Sequence, residues 1–493
     1  MSMPLTLLQP RVVNETQDQV LDTVKLFPHA TSNVQTRFVL PRQGTLLDSN
    51  STLTWHVSWD GFDPAKVDGD QLVLLKNTCG GLASIRRARF FVGSKLIFDN
   101  EDVGSSVHIK KLSDSPDYRV EVDDLYSGGQ SGYYVTTNGK FELIPDGAVS
   151  ERSRGIYCRA LGKYSEDGAS DTSIQCSLKI KDIFSGLKSI QLPIAELDDC
   201  RIEIDWETGF DEVAYIFRDS ATAITNTTIE IKNPTLLLDY LTVDEEMEMA
   251  LKMTMAEGAP PLPFVHTSVS SKIIPEASAD NTSETTDVLL ALQGKLLMKM
   301  YVSHRLNNTN LVGAVLAPQR GCGRCRSQRN KGFEYNLFIN DLAIHDQPVN
   351  SATQAYNFLE LAHQRPPSLM AGTYDRNKFG AVAVTDVVSD SYTPAGQAPN
   401  IANNGLTARE IRDTVAGNQA YIGFDLSKFD DGSEVVPENA GYRVGSSSVI
   451  LRITQTSGAS ADTQGSRPKT VQVFTEEVRV LQMKGGKVDV FEA

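Results

Sequence analysis

Alternation with a period of two recurs along this chain and limits what it can fold into. In Leu53-Thr54-Trp55-His56-Val57-Ser58-Trp59 every odd position is apolar. That spacing places Leu53, Trp55, Val57 and Trp59 on one face of an extended strand. Arg201-Ile202-Glu203-Ile204-Asp205-Trp206 alternates in the same way, as does Val471-Gln472-Val473. Clusters of Gly, Asn, Asp and Ser separate such runs, as hairpin and sandwich loops require. A sheet with one apolar face must cover that face with another layer. The predicted fold class is therefore all-β, mainly antiparallel, in packed sandwiches with a few short helices.

The clearest helix starts at Thr242, which has capping-box spacing to Glu245. Met247, Leu251 and Met255 continue an apolar stripe, and Gly258 followed by Pro260 and Pro261 is a stop. Two further short helices are expected at Ala352–Ala362 and Thr407–Val415. The first helix lies near the middle of the 493 residues, between β-rich stretches of similar length. That arrangement prompts a search for a repeat. Phe91-Val92-Gly93-Ser94-Lys95-Leu96-Ile97-Phe98-Asp99 resembles Phe338-Ile339-Asn340-Asp341-Leu342-Ala343-Ile344-His345-Asp346, at an offset of 247 residues. Both read as strand, two-residue polar turn, strand. The same offset sets Ile202, Ile204 and Trp206 on Val449, Leu451 and Ile453. Two tandem sandwiches follow: an irregular arm over 1–30, a first sandwich over 31–241, a helix-bearing linker over 242–265 and a second sandwich over 266–493.

Order and spacing of several segments resemble the double jelly-roll major capsid proteins of polinton-like viruses and virophages. Asn77 to Arg86 and the strand pair after it look like the early hairpin of such proteins. Ile183-Phe184-Ser185-Gly186, Ile190 to Ile194 and the strand Arg201 to Trp206 look like the end of the first roll. Asn233-Pro234, Leu236 to Leu241 and the helix that follows look like its exit. Phe333 to Pro348, Gly423 to Lys428, Ala440-Gly441 and Val449 to Ile453 resemble the second roll. The likeness runs from about residue 30 to the C-terminus. Leu311–Arg329 and Ser389–Asn404 match nothing in it.

The resemblance implies two eight-stranded jelly rolls per chain and three chains per pseudo-hexagonal capsomer. Capsomers would tile an icosahedral shell around double-stranded DNA, with neighbouring capsomers, penton proteins and minor capsid proteins as partners. The chain would then be a virion protein, made and assembled inside the host cell. The arm would lie on the inner face and tie neighbours together. The alternatives are a minor or vertex virion protein of the same architecture, or a carbohydrate-active enzyme on a β-sandwich.

The remaining residues speak to chemistry. The formal net charge of −15 repels nucleic acid on average, so no specific nucleic-acid binding is expected. Met1 to Pro10 lacks a basic region leading into an apolar core, so no signal peptide is read. Cys79, Cys158, Cys176 and Cys200 are scattered singly and read as small core residues. Cys322-Gly323-Arg324-Cys325 is the one metal-like or redox-like spacing, and no second pair completes a zinc set. Cys322 and Cys325 are thus either incidental to a Gly-rich loop or part of a site shared between chains; no cofactor is expected. Arg320, Arg324, Arg326, Arg329 and Lys331 surround that loop and suit an acidic neighbour better than phosphate. Arg87 and Arg89, with Arg86 before them, read as a solvated or interface face of a strand. Asp198-Asp199 and Asp430-Asp431-Gly432 read as turn chemistry, short of the oxygens calcium needs. His56, His266, His304 and His363 show no HExxH spacing, and neither a GxSxG nor a GxxxxGK[ST] motif occurs. No catalytic residues are assigned, and the chain is read as a non-enzyme. Trp55, Trp59 and Trp206 fall at inward strand positions, which leaves little for a sugar-binding platform.

Overall fold

The computed structural model describes residues 20–42, 44, 46–60, 72–75, 80–111, 133–135, 141–143, 160–162, 173–209, 213–217, 228–274, 283–306, 333–345, 347–350, 352–363, 422–427, 441–446, 448–456 and 469–492. The first half supplies eight main strands: β1 (Val20–Leu26), β2 (Gln35–Val39), β3 (Thr52–Asp60), β4 (Ile85–Val92), β5 (Lys95–Glu101), β6 (Ser173–Lys179), β7 (Cys200–Trp206) and β8 (Thr228–Thr242). They form two antiparallel sheets, ordered β1-β8-β3-β6 and β2-β7-β4-β5. That order is the jelly-roll topology.

The second half repeats it. Its strands are β9 (Leu262–Ile274), β10 (Ser283–Leu290), β11 (Leu296–Leu306), β12 (Phe333–Ile339), β13 (Leu342–Ala343), β14 (Ile422–Asp425), β15 (Val449–Thr456) and β16 (Lys469–Lys484). Its sheets run β9-β16-β11-β14 and β10-β15-β12-β13, so adding eight to each label of the first roll gives the second. A last strand, β17 (Lys487–Glu492), folds back on β16. Each roll also carries a helix after its β4–β5 or β12–β13 hairpin: α1 (Val103–Lys111) and α3 (Ala352–His363). Helix α2 (Glu245–Glu257) lies between the rolls in sequence.

The expected alternation is present in three dimensions. Leu53, Trp55 and Val57 are buried, and β7 alternates buried and half-buried along its whole length. Trp55 and Trp206 meet with ring centres 5.8 Å apart. Each satisfies its indole N–H inside the core, Trp55 donating to Ser84 Oγ at 2.9 Å and Trp206 to Thr36 Oγ1 at 2.8 Å. The hairpin repeat at offset 247 holds as well. Gly93 in the first turn and Asn340 and Asp341 in the second all have positive φ, as tight hairpin turns demand.

Three details differ from the sequence reading. Ile202 faces Phe90, whereas Leu451 faces Leu337; Ile202 therefore corresponds to Leu451, two residues beyond Val449. A shift of two keeps every side chain on its face, so alternation cannot tell the two alignments apart. Residues 20–26, read as part of an irregular arm, are an edge strand on β8. Val24 and Leu26 face inward while Thr23 and Lys25 are exposed, but Asp22, in the same register as Val24, is polar and exposed and cuts the alternating run short. Finally, the cap of α2 is Asp244, whose side chain accepts from Met247 N at 2.8 Å; Thr242 is still paired within β8. The expected helix at 407–415 and Trp59's side chain lie outside the described residues.

The two cores are not separate. Leu262, Phe264, Leu481, Met483 and Val488, all from the second half, are buried in the first roll's core. In the opposite direction Ile109 of α1 is buried in the second roll's core. A cavity at a fully buried methionine costs about 2–5 kcal/mol. Met483→Ala is accordingly expected to raise hydrogen exchange in the first roll, in peptides covering residues 85–101, more than in β15.

Candidate functional site: the seam between the rolls

Aromatic and polar contacts between distant parts of the chain meet where the two rolls join. Its apolar half is aromatic. Phe264 of β9 meets Phe98 of β5 edge to face, with ring centres 5.3 Å apart. Phe98 in turn stacks on Phe184 at 5.9 Å, and Phe90 closes the group against both. Gly186 sits between Phe98 and Phe264. A Cβ there would overlap the Phe98 ring and come within 2.7 Å of Phe264. The Phe184-Ser185-Gly186 segment therefore needs a residue without a side chain at its third position. Ser185 Oγ also donates across the seam to Val265 O at 3.1 Å.

The polar half comes from α1. Lys110 Nζ donates to Thr267 Oγ1 at 2.6 Å and pairs with Glu476 at 3.1 Å. Burial pulls the Lys110 ammonium below its ordinary range, and Glu476 opposes that pull. Burial alone would raise Glu476, but Lys110 and Lys299 outweigh it and hold the carboxyl below its ordinary range. Gln472 Nε2 donates to Asp102 Oδ2 at 2.6 Å, so the polar member of the Val471-Gln472-Val473 run serves the seam. At one end Asp198 N donates to Gly486 O at 2.8 Å. Gly485 and Gly486 both have positive φ in the β16–β17 turn.

His266 lies within this seam. It is 7% exposed, and Glu477 faces it across the β9–β16 ladder. Glu477 itself is fully buried and paired with Lys295 at 2.7 Å and with Arg479. Burial first, then the nearby Arg479, Lys295 and Lys110, keep the His266 imidazole well below its ordinary pKa.

The other singled-out residues sort simply. Arg87 forms a bidentate pair with Asp99, Nε to Oδ1 at 2.8 Å and Nη2 to Oδ2 at 2.5 Å. Arg89 pairs with Asp205 at 2.9 Å and Glu203 at 3.4 Å, and Arg201 with Glu203 at 3.3 Å. The outward face of the β2-β7-β4-β5 sheet is thus a ladder of matched charges. Arg201 also covers Phe91, and Arg452 covers Phe338 in the second roll, at 4.2 and 4.9 Å from the ring centres. Arg86 is exposed. Asp199 reaches Arg42 at 3.5 Å, and its carbonyl accepts from Gly93 N; with Asp198 it forms a structural turn. Cys176 and Cys200 are buried, and Cys200 Sγ donates to Asp198 O at 3.3 Å. Burial pushes the Cys200 thiol up to about 12, which makes it unreactive. His56 is half-buried opposite Lys232, and His363 packs on Tyr301 with ring centres 5.3 Å apart. Cys79, Cys158, Cys322, Cys325, the basic residues 320–331, Asp430 and Asp431 and the side chain of His304 lie outside the described residues. Among the described residues no cluster of His, Cys, Asp or Glu could hold a metal ion, and no helix is long and apolar enough to cross a membrane.

No protein-family model and no curated protein matches the sequence. Solved structures do. The mavirus major capsid protein superposes with a TM-score of 0.53 at 14% identity, over 98% of this chain and 93% of its own. A chain of the Sputnik virophage gives 0.54 at 11% identity, over 98% and 91%. The Faustovirus major capsid protein gives 0.53 at 9% identity, over 96% and 93%. These likenesses span both rolls and establish the fold as a double jelly roll.

Two outcomes follow from the seam. Gly186→Ala is expected to cost about 1–3 kcal/mol by overpacking Phe98 and Phe264, read as a lower melting temperature. The second concerns pH. The unfolded chain takes up a proton on His266 near pH 6.5 that the folded chain refuses, so stability is retained above that pH and lost below it. The loss is about 1.4 kcal/mol per pH unit. Denaturant unfolding should show stability falling as the pH drops through about 6.5, and His266→Asn should make that fall shallower.

Proposed function

We propose that this chain is a major capsid protein. The observation that carries the reading is a full-length match to double jelly-roll capsid proteins in a chain whose two rolls share core residues across one seam. Such a chain is a rigid two-domain block rather than two modules on a tether. Its chemistry is assembly, not turnover. Three copies form a pseudo-hexagonal capsomer, and capsomers tile an icosahedral shell around double-stranded DNA in the virion, after synthesis inside the host cell. Neighbouring capsomers, penton proteins and minor capsid proteins are the partners. Interfaces of several thousand Å² hold obligate assemblies of this kind.

The carbohydrate-enzyme alternative draws no support from the aromatic residues. Trp55 and Trp206 are 0% and 2% exposed with their N–H groups bonded inside the core, so neither offers a stacking platform for a sugar. Cys322 and Cys325 are proposed as residues of a loop that binds no metal.

The test is the mass of the purified chain in solution, with its outline in negative stain. A species of three times 54.0 kDa with a hexagonal outline is expected. A monodisperse monomer would contradict the proposal.

A further inference from the structure

Four residues other than glycine have positive φ among the described residues: Asp102, Asn233, Asn340 and Asp341. Asn340 and Asp341 make the β12–β13 turn, and Asp102 precedes α1. Of the four, Asn233 alone lies inside a strand, β8, with φ 51°. It also precedes Pro234. A proline ring crowds the residue before it and favours extended backbone there, so the left-handed conformation at Asn233 is strained.

A bulge creates this conformation. Lys232 faces His56 and Thr235 faces Thr54, so Asn233 and Pro234 share the place opposite Trp55. The strand is fastened on both sides of the bulge. Before it, Asn33 Nδ2 donates to Ile229 O at 3.2 Å, and Asn33 Oδ1 accepts from Ile231 N at 3.0 Å. After it, Thr54 Oγ1 donates to Thr235 O at 3.2 Å, and Leu236 is buried in the first roll's core. Pro234 and Thr235 are buried, whereas Asn233 is exposed. Thr235 Oγ1 donates at 3.2 Å to Asn233 O, the carbonyl oxygen of the Asn233–Pro234 bond. None of the described residues hydrogen-bonds the Asn233 side-chain amide.

An asparagine ordinarily reacts with the N–H of the next residue, which attacks the side-chain carbonyl and releases ammonia. Proline has no N–H, so that route is closed at Asn233. The reverse attack stays open, from Asn233 Nδ2 on the residue's own backbone carbonyl, and it closes a five-membered ring. We propose that the Asn233–Pro234 bond cleaves itself in this way. The bond from Nδ2 to the carbonyl carbon forms, the bond from that carbon to the Pro234 nitrogen breaks, and one Nδ2 proton passes to the proline nitrogen. One product ends in a cyclic imide at Asn233, and the other begins with the free secondary amine of Pro234. Water then opens the imide. The Thr235 hydroxyl donates to the oxygen on which negative charge develops, and the break releases the strain at Asn233. The two pieces stay together, because Thr228 to Lys232 remain paired with β3, Thr235 to Leu237 with β3 and Leu236 to Thr242 with β1. The native mass that reports assembly is therefore unchanged by the cleavage.

The test incubates the purified full-length chain with protease inhibitors for several weeks and follows it by denaturing gel and intact-mass measurement. Two fragments are expected, 1–233 and 234–493. Their masses should sum to that of the intact chain, or to that plus one water once the imide opens. Asn233→Gly keeps a residue that accepts positive φ and removes the nucleophile, so it is expected to stay folded and whole. Thr235→Val keeps the buried shape without the hydroxyl and is expected to slow cleavage by on the order of tenfold or more. Wild-type chain held in guanidinium is expected to stay whole, since unfolding removes the bulge that strains the bond. A folded wild-type chain that remains whole would overturn the inference. So would the same fragments from Asn233→Gly, or cleavage at equal rates in folded and denatured chain.

Discussion

The contact between Phe264 and Phe98 over Gly186 sets the arrangement of everything around it. Phe264 comes from the second half of the chain, yet its ring completes an aromatic group otherwise supplied by the first. Burying a phenylalanine side chain is worth roughly 1.5–3 kcal/mol, and neighbouring Leu262, Leu481, Met483 and Val488 add to the same core. The polar bonds then fix the register. Lys110 on Thr267 and Glu476, and Gln472 on Asp102, admit one placement of the rolls. Breaking a buried ion pair from one side costs about 3 kcal/mol, so sliding the rolls past one another is opposed at every polar contact.

Much of the sandwich was legible in the chain because strand chemistry is local. Leu53 to Val57 and Ile202 to Trp206 alternate, and alternation is a direct image of which face is buried. The β4–β5 and β12–β13 hairpins could be paired at offset 247 because both read as strand, two-residue polar turn, strand, and Gly93, Asn340 and Asp341 supply the positive φ such turns use. Alternation is blind to slips of two, so it aligns Ile202 with Val449 as readily as with its true counterpart Leu451. It is also a weak guide to β1, where the polar Asp22 falls in the register of Val24 and Leu26 and shortens the alternating run.

The seam was not legible, and the reason is physical. Lys110, Glu476 and Gln472 are residue types that normally face solvent, and only the apposition of two rolls buries them. His266 stood in the sequence as one of several isolated histidines. Phe264 follows Pro263 in a stretch read as linker, where an aromatic residue carries no periodic signal. The Phe184-Ser185-Gly186 segment entered through resemblance alone; its reason, two aromatic rings closing over a missing side chain, needs coordinates. Arg87 and Arg89 were placed on one face correctly, but their partners Asp99, Asp205 and Glu203 lie on neighbouring strands.

A duplicated fold whose two rolls share core residues across one seam is held as a single block. Equilibrium unfolding followed separately in each roll tests this most directly. The account predicts one cooperative transition in which both rolls unfold at the same denaturant concentration. Two separate transitions, one for each roll, would contradict it.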